Sequence, residues 1–173
     1  IFGEARLKNV AVLDQNGVFL TSPQIEVDWA PGAWLYNSLH IDELESRQVT
    51  LHRLPKTRPT GRKGPLLPDF DIHIGRLKID RLEVAKGVAG AARTGSLLGE
   101  ADIRAGRAMV GLQLAMLDGD KLAARLDADP DRDRFDLNVR AIAPRDGLIP
   151  AIVGLKRPID LSIEGDGSWT RWR

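Results

Sequence analysis

The last third of the chain carries apolar side chains at every second position. Val110, Leu112, Leu114 and Met116 alternate with small or polar residues. The same alternation returns after short turns, in the runs Leu122, Ala124, Leu126, Ala128, then Phe135, Leu137, Val139, Ala141, and finally Ile159, Leu161, Ile163. A period of two places successive side chains on opposite faces of a strand. Because the turns at 118–120 and 130–134 are short, the pattern predicts an antiparallel meander with one apolar face.

The first fifty residues also read as strands. Ile25, Val27 and Trp29 alternate with acidic residues, and the turn signal Asn16-Gly17 precedes them. Pro31 can occupy the first turn of a helix, so a short helix is predicted at 31–38. A second short helix is predicted at 147–155, long enough to plug one end of a sheet and too short to cover it.

The segment 72–84 has a less ordinary spacing. Its apolar residues are Ile72, Ile74, Leu77, Ile79, Leu82 and Val84, separated by two, three, two, three and two positions. This spacing gives no stripe on a helix, and a strand needs a bulge or break about every five residues to keep these side chains on one face. Leu39, Ile41, Leu44, Val49 and Leu51 repeat the spacing 33 residues earlier. The chain therefore contains a short internal repeat, which is typical of architectures that grow by adding units.

These patterns divide the chain into three regions. Residues 1–54 form a first β-unit with the short helix at 31–38, residues 55–70 form a basic connection rich in Pro and Gly, and residues 71–173 form a second β-unit of repeat plus meander. We expect the two units to share one continuous sheet. The predicted fold is mainly β: a curved, taco-like, antiparallel and repetitive sheet with an apolar groove and one or two short helices.

The sequence contains too little helix to cover an apolar sheet face. One interpretation is that the sheet folds over on itself as a sandwich or closed barrel. The other is a sheet left open along one side, whose apolar channel holds something apolar from outside, because large exposed apolar surfaces mark binding sites. The predicted groove-lining residues are Ile74, Leu77 and Leu82 in the repeat, and Leu112, Leu114, Met116, Leu122, Leu126, Leu137, Val139, Leu161 and Ile163 in the meander. Small inward residues such as Ala124 and Ala128 leave width for a guest chain.

Composition narrows the function classes. The chain has 173 residues, with 25 Lys and Arg against 24 Asp and Glu, which is too balanced for nucleic-acid binding. It has no Cys, so disulfides and thiolate chemistry are excluded. No apolar run reaches the roughly 20 residues of a membrane-spanning helix. The chain begins at Ile1 without a signal pattern, and we expect it to be a piece of a longer protein.

The chemistry-bearing residues favour structural roles. His40 and His73 occupy equivalent repeat positions and, like His52, are expected on an outward surface rather than at a metal. The alternating carboxylates of 127–133 resemble a calcium loop but lack its Gly and Glu, so a solvated turn is favoured. We expect no catalytic residue, metal or cofactor. A carbohydrate-active or hydrolytic β-domain remains an alternative, and it would require clustered acidic or Ser and His side chains in a cleft.

Two further residue groups have open interpretations. Arg58, Arg62 and Lys63 form a basic patch that could contact anionic headgroups, although a solvated loop is favoured. The aromatic residues Trp34, Tyr36, Trp169 and Trp172 could anchor an interface, although packing at strand ends is favoured.

Several degenerate motifs together resemble one family. They are Val12-Leu13-Asp14-Gln15-Asn16-Gly17, Ile25-Glu26-Val27-Asp28-Trp29 leading to Pro31 and Leu35, Leu39-His40-Ile41 to Leu44, Val49-Thr50-Leu51-His52-Arg53 before Pro55, Ile74-Gly75 to Leu77 and Leu82, Gly119-Asp120 to Leu122, Asp127-Ala128-Asp129-Pro130, Phe135-Asp136-Leu137, and Gly165-Asp166-Gly167 with Trp169. With these motifs, which cover nearly the whole chain, the sequence resembles the TamB family. These are the β-rich inner-membrane subunits of the translocation and assembly module, within the AsmA-like group of bridge-shaped proteins.

The resemblance implies a location, partners and a role. The location is the periplasm, with inner-membrane anchoring by an N-terminal helix absent from this sequence. The role is in outer-membrane biogenesis, as a conduit for phospholipid acyl chains. The alternative role is that of a β-rich interaction module that assists the assembly of outer-membrane proteins. The resemblance also implies an outer-membrane barrel partner, bound through a region that is not visible here.

Overall fold

A computed structural model describes residues 3–56, 67 and 69–168, and these contain nine strands in one sheet. The strands are β1 Gly3–Asp14, β2 Gly17–Trp29, β3 Ser38–Leu51, β4 Asp71–Val84, β5 Arg93–Arg104, β6 Arg107–Met116, β7 Lys121–Asp129, β8 Arg134–Ala143 and β9 Ile159–Gly167. The helices are all short: α1 Lys86–Ala89, α2 Leu148–Val153 and the 3₁₀ helices Pro31–Tyr36 and Pro130–Arg132. The mainly β prediction is confirmed.

The strands lie in the sheet in the order in which they occur along the chain. β3 and β4 are parallel, and every other neighbouring pair is antiparallel. The sheet is curled and unclosed, with β1 and β9 as its edges. A sandwich or closed barrel is therefore not formed by the described residues, which make a single β-layer.

The 33-residue repeat is the register of the parallel pair. Leu39 lies opposite Ile72, and this offset continues through Leu44 opposite Leu77 to Leu51 opposite Val84. Two copies of one apolar spacing therefore lie side by side and direct their apolar side chains to the same face. The repeat predicted from the sequence therefore corresponds to the residue-by-residue pairing of these two strands.

Bulges keep the repeat on one face. The β4–β5 register shifts between Ile74 and Leu77 and again between Ile79 and Leu82. These are the positions where the three-residue spacings required an extra residue, so that prediction is confirmed. At the first bulge β3 approaches closely: a Cβ added to Gly75 would lie 2.7 Å from the Asp42 carbonyl oxygen.

The two ends of the strands are built differently. At one end, which we call the helix end, α1 connects β4 to β5 and α2 connects β8 to β9. Leu148 of α2 is buried there with Val84 and Met116, and Leu82 and Leu114 pack around this cluster. The fully buried Asp120 accepts hydrogen bonds from the Leu148 and Ile149 N–H groups, both at 2.8 Å, and so fixes the start of α2. The prediction of a short helix in 147–155 is confirmed.

The opposite end of the strands, which we call the turn end, carries the 3₁₀ helices. Pro31–Tyr36 occupies the predicted helical region, but Trp34 and Tyr36 are 67% and 84% exposed. The expectation that these two side chains pack at strand ends was wrong, because nothing in the described fold lies over the short helix. Arg58, Arg62, Lys63, Trp169 and Trp172 lie outside the described residues. In the described part of the chain, no helix has the length and apolar character required to cross a bilayer.

Candidate functional site: an uncovered apolar sheet face

Two apolar rows cross the sheet from edge to edge. Cross-strand pairing gives a first row of Ala5, Val27, Leu44, Leu77, Gly99, Leu112, Ala124, Val139 and Ile163. It gives a second row of Gly3, Trp29, Ile41, Ile74, Ala101, Val110, Leu126, Leu137 and Gly165. Directly paired residues share a face. Neither row contains a charged or hydrogen-bonding side chain other than the Trp29 indole, and eight strand spacings extend each row over about 38 Å.

The predicted groove residues all lie on the face that carries these rows. Seven of them belong to the two rows: Leu77, Leu112, Val139 and Ile163 to the first, and Ile74, Leu126 and Leu137 to the second. Leu114, Leu122 and Leu161 form part of a neighbouring row that passes through Ala141. Leu82 and Met116 lie on either side of Gly95. The pairing therefore brings all twelve to one face.

The twelve residues differ in how far neighbouring side chains shelter them. Met116 is 5% exposed and belongs to the buried cluster at the helix end, where Leu82 and Leu114 pack beside it. Leu161 and Ile163 on the edge strand β9 are 41% and 39% exposed. The remaining residues are half-buried. We therefore divide the face into a packed part, at Leu82, Leu114 and Met116, and an open part formed by the other nine.

No second β-layer covers the open part within the described residues. Each strand makes its extensive contacts with its neighbours in the sheet, and α2 contacts α1 and β8. In β7 and β8 the side chains on the face of the rows are half-buried or buried, whereas most side chains on the other face are exposed, including Ala123 and Ile142. A curled single layer produces this pattern, because side chains crowd on one face without being capped. The open part is consequently sheltered apolar surface without a partner in the described fold.

Sequence reasoning missed the part of the face that β5 contributes. This strand places Gly99 and Ala101 in the two rows, and such small residues give little periodic signal. It also carries Leu97 and Leu98 in succession, on opposite faces, which obscures the alternation. Only the pairing of β5 with the regular strand β6 reveals which residues face the rows.

The opposite face of the sheet is charged. Cross-strand ion pairs join Arg76 to Glu43 at 3.2 Å, Lys78 to Glu45 at 3.0 Å, and Arg125 to Glu100 at 3.3 Å. Glu45 and Asp80 raise the pKa of Lys78. A depression of about 780 Å³ lies mainly on this face among Arg76, Gln113, Arg125, Asp136 and Asn138. It arises where Gly75, Gly111 and Ala123 stand between longer side chains. The charged face is therefore the solvated one.

The histidines and serines do not converge on a cleft. His40 and His73 pair in register and their rings stack with centroids 4.5 Å apart, while the His52 Nε2 lies 2.8 Å from the Thr21 hydroxyl. Ser22 and Ser46 are buried, their hydroxyls are 2.9 Å apart, and both reach the backbone carbonyls of Gln24 and Gln48. These hydroxyls complete the hydrogen bonding of irregular backbone in β2 and β3.

The carboxylates of 127–133 serve neighbouring groups. Arg107 donates to Asp127 and lowers the pKa of that carboxyl group. Asp129 accepts hydrogen bonds from the Arg132 backbone and guanidinium groups at 3.2 and 2.9 Å. No cluster of three or more His, Asp or Glu suited to a metal ion occurs among the residues that the structure describes.

No protein-family model, curated protein or solved structure matches the chain. The resemblance to the TamB family therefore stays a prediction.

Proposed function

We propose that the open apolar face holds phospholipid acyl chains and lets them move along the sheet. In this proposal the chain is a periplasmic segment of a bridge-like protein of outer-membrane biogenesis. It acts without a catalytic group, and phospholipid passes along it between the inner and outer membranes. The inner-membrane anchor and the contact with an outer-membrane barrel partner belong to other parts of such a protein. The location and partners rest on the family resemblance alone.

The two uninterrupted rows carry this proposal. Rows of aliphatic and small residues that cross nine strands offer hydrocarbon a continuous apolar path. A sixteen-carbon acyl chain that leaves water gains on the order of 12 kcal/mol, at about 0.8 kcal/mol per methylene. This gain is large enough to offset the cost of ordering the chain. Capture therefore requires no specific hydrogen bond.

Movement along the face requires that no position hold the chain much better than its neighbours. The rows provide this uniformity, because neither contains a carboxylate, an amine or a hydroxyl group. The nearby hydroxyls of Ser22 and Ser46 are turned toward backbone carbonyls. A polar headgroup would stay in water at the open side of the curled sheet.

A charge placed in the open part tests the proposal. We expect Leu112→Asp to lose photo-crosslinking to a phospholipid that carries a diazirine in its acyl chain, because Leu112 lies next to the central residue of the first row. The matched control is Leu98→Asp, since Leu98 is 40% exposed on the charged face. Leu114 is less suitable, because it packs against the buried cluster and its replacement would unfold the helix end.

The expected result is strong crosslinking of the wild type and Leu98→Asp and little of Leu112→Asp, with similar circular dichroism for all three. Equal crosslinking of the three proteins would refute the proposal. Mass spectrometry of organic extracts from the purified wild type gives a second measurement, in which we expect co-purified phospholipid.

A second candidate function, assistance to outer-membrane protein assembly, is favoured by the edge strand β9. This strand pairs with β8 without a register shift over its nine residues and contains no Pro, so it can accept an added strand. β1 at the other edge is irregular, with Asn9 at φ 53° and a register shift after Val12. Proline substitution in β9 should abolish binding of an unfolded barrel strand and leave acyl-chain crosslinking unchanged. Retained strand binding would refute this second candidate.

A further inference from the structure

Cations without ion-pair partners gather at the helix end. On the charged face of the sheet, many Arg and Lys side chains lie beside a carboxylate of the same or a neighbouring strand. At the helix end, Lys86, Arg145, Lys156 and Arg157 form no ion pair within residues 3–56, 67 and 69–168. The positive charge of this end is therefore available to an external anion.

Three cations surround a small depression there. It measures about 360 Å³ and is lined by Arg93, Arg145 and Lys156 together with Leu155 and one acidic residue, Asp146. The Arg93 side chain is only 11% exposed, and it donates to the Asp118 carboxylate and the Asp146 carbonyl oxygen. Its Nε is buried without a hydrogen-bond partner among the described residues. Arg145 and Lys156, set against Asp146, therefore give the depression an excess of positive charge.

Exposed apolar side chains surround this basic depression. Leu117 in the turn after β6 is 85% exposed, and Ile152, Val153 and Leu155 are 44%, 56% and 39% exposed. Apolar side chains beside Lys and Arg are the composition of surfaces that bind membrane interfaces. Basic groups near an anionic bilayer gain attraction from its negative surface potential.

We infer that the helix end docks on the surface of a bilayer that contains anionic phospholipids, with a lipid phosphate in the depression between Arg93, Arg145 and Lys156. Leu117 and the exposed residues of α2 enter the interface between headgroups and acyl chains. This inference goes beyond the proposed function, because it assigns a membrane contact to the strand ends, whereas the apolar rows end at the edges β1 and β9. Leu148 of α2 also packs against Met116, so the docked end adjoins the packed part of the apolar face.

The turn end lacks this combination. Trp34, Leu35 and Tyr36 are exposed there, but the charges of the adjoining segments are mixed. Asp69, Asp71 and Asp131 add negative charge, and Arg104, Arg107 and Arg132 are paired with carboxylates, which leaves Arg134 as a cation without an ion pair at this end of the described residues. Carboxylates are repelled by an anionic surface, so the aromatic patch is not a second site of the same kind. Among the described residues, cations without ion pairs are therefore more numerous at the helix end, which favours this end for docking.

Flotation of the purified chain with lipid vesicles tests the inference. The probes are vesicles of phosphatidylcholine alone and of phosphatidylcholine with one-third phosphatidylglycerol. We expect binding to the anionic vesicles only, weakened by salt. Each cation near such a surface contributes about fivefold in affinity, so the double variant Arg145→Glu/Lys156→Glu should bind at least about 25-fold more weakly.

A matched double variant controls for net charge. Arg47→Glu/Arg134→Glu changes the charge equally at exposed cations that also form no ion pair in the described region, away from the helix end. It should bind like the wild type. Equal weakening of the two double variants would overturn the inference, as would equal binding of the wild type to both kinds of vesicle.

Two further measurements distinguish docking on a bilayer from binding of free phosphate and from acyl-chain binding in the apolar groove. Inorganic phosphate competes for the same depression but makes none of the apolar contacts, so at constant ionic strength it should weaken vesicle binding only in part. Complete displacement would show a site for free phosphate and overturn docking on a bilayer. Acyl-chain crosslinking in detergent should be unchanged in Arg145→Glu/Lys156→Glu, so loss of docking and loss of the apolar groove give different results.

Discussion

The first four strands and the last five build one apolar face from two different sequence patterns. In β5–β9 the register runs without a shift, and every second residue faces the rows. In β3 and β4 the apolar spacing alternates between two and three, and the extra residues are absorbed as bulges at Gly75 and near Asp80. Bulges bend a sheet, whereas regular strands extend it. The comparison teaches that one continuous face can change its curvature along its length by changing the residue spacing.

The two regions are also stabilised differently. The bulged region, β1–β4, has the buried hydroxyls of Ser22 and Ser46, which donate hydrogen bonds to irregular backbone. It also has Gly75, where two strands approach closely. The helix end, to which β6 and α2 of the regular region contribute, has a compact buried cluster around Leu148 and Met116. Substitutions in the two regions should therefore lower the free energy of unfolding by different amounts.

The largest expected effect is at the buried cluster. Leu148→Ala should lower the free energy of unfolding by about 2–5 kcal/mol, because it leaves a cavity beside Val84 and Met116. Leu112→Ala, in the open part of the same face, should cost only about 1 kcal/mol. Urea unfolding followed by circular dichroism measures both. Equal losses of unfolding free energy in the two variants would show that the open part is as tightly packed as the helix end.

A smaller effect is expected at the first bulge. Gly75→Ala should cost about 1–3 kcal/mol, because the new Cβ would lie 2.7 Å from the Asp42 carbonyl oxygen and backbone would have to move. Gly99→Ala is the control in the regular region. Its Cβ would lie 3.4 Å from the end of the Leu77 side chain and 3.6 Å from the Gly111 carbonyl oxygen, which is ordinary contact, so stability should be unchanged or higher. Thermal unfolding measures both variants. A larger loss of stability in Gly99→Ala than in Gly75→Ala would contradict the assignment of a close approach at Gly75.

The repeat, the bulges and the meander could be predicted from the sequence because large aliphatic residues mark them. Leu39 to Leu51 and Ile72 to Val84 share a spacing that only paired, bulged strands satisfy. The parallel direction of β3 and β4 could not be predicted, because apolar spacing alone does not distinguish parallel from antiparallel neighbours. The contribution of β5 to the apolar face could not be predicted, because its residues on that face include Gly95, Gly99 and Ala101, which have little or no side chain. The basic depression involves Arg93, Arg145 and Lys156, which only the fold brings together.

The smallest expected effect is a dependence on pH. Arg53 donates to Asp14 in the bulged region, and together with the Lys56 N–H it holds the pKa of that carboxyl group well below its usual range. A carboxyl group whose pKa is lowered by folding stabilises the fold above its unfolded pKa of about 3.9, and this contribution is lost as the pH falls toward the folded value.

The stability difference between the wild type and Asp14→Asn should therefore be largest near neutral pH and shrink steadily at acidic pH. Asp127→Asn provides the counterpart in the regular region, where Arg107 lowers the pKa of Asp127. Thermal unfolding across this pH range measures both differences. A difference that grows on acidification would contradict the Asp14–Arg53 pair.

The central claim, that the apolar rows accept hydrocarbon, is tested most directly at Trp29. This residue lies in the second row, opposite Ile41, whereas Trp34 is exposed on the 3₁₀ helix at the turn end. In a variant that retains Trp29 and replaces the other three tryptophans with Phe, fluorescence should be quenched by a phospholipid brominated in its acyl chains. A variant that retains only Trp34 should be quenched little. Equal quenching of the two, or none at Trp29 while lipid is bound, would contradict the account.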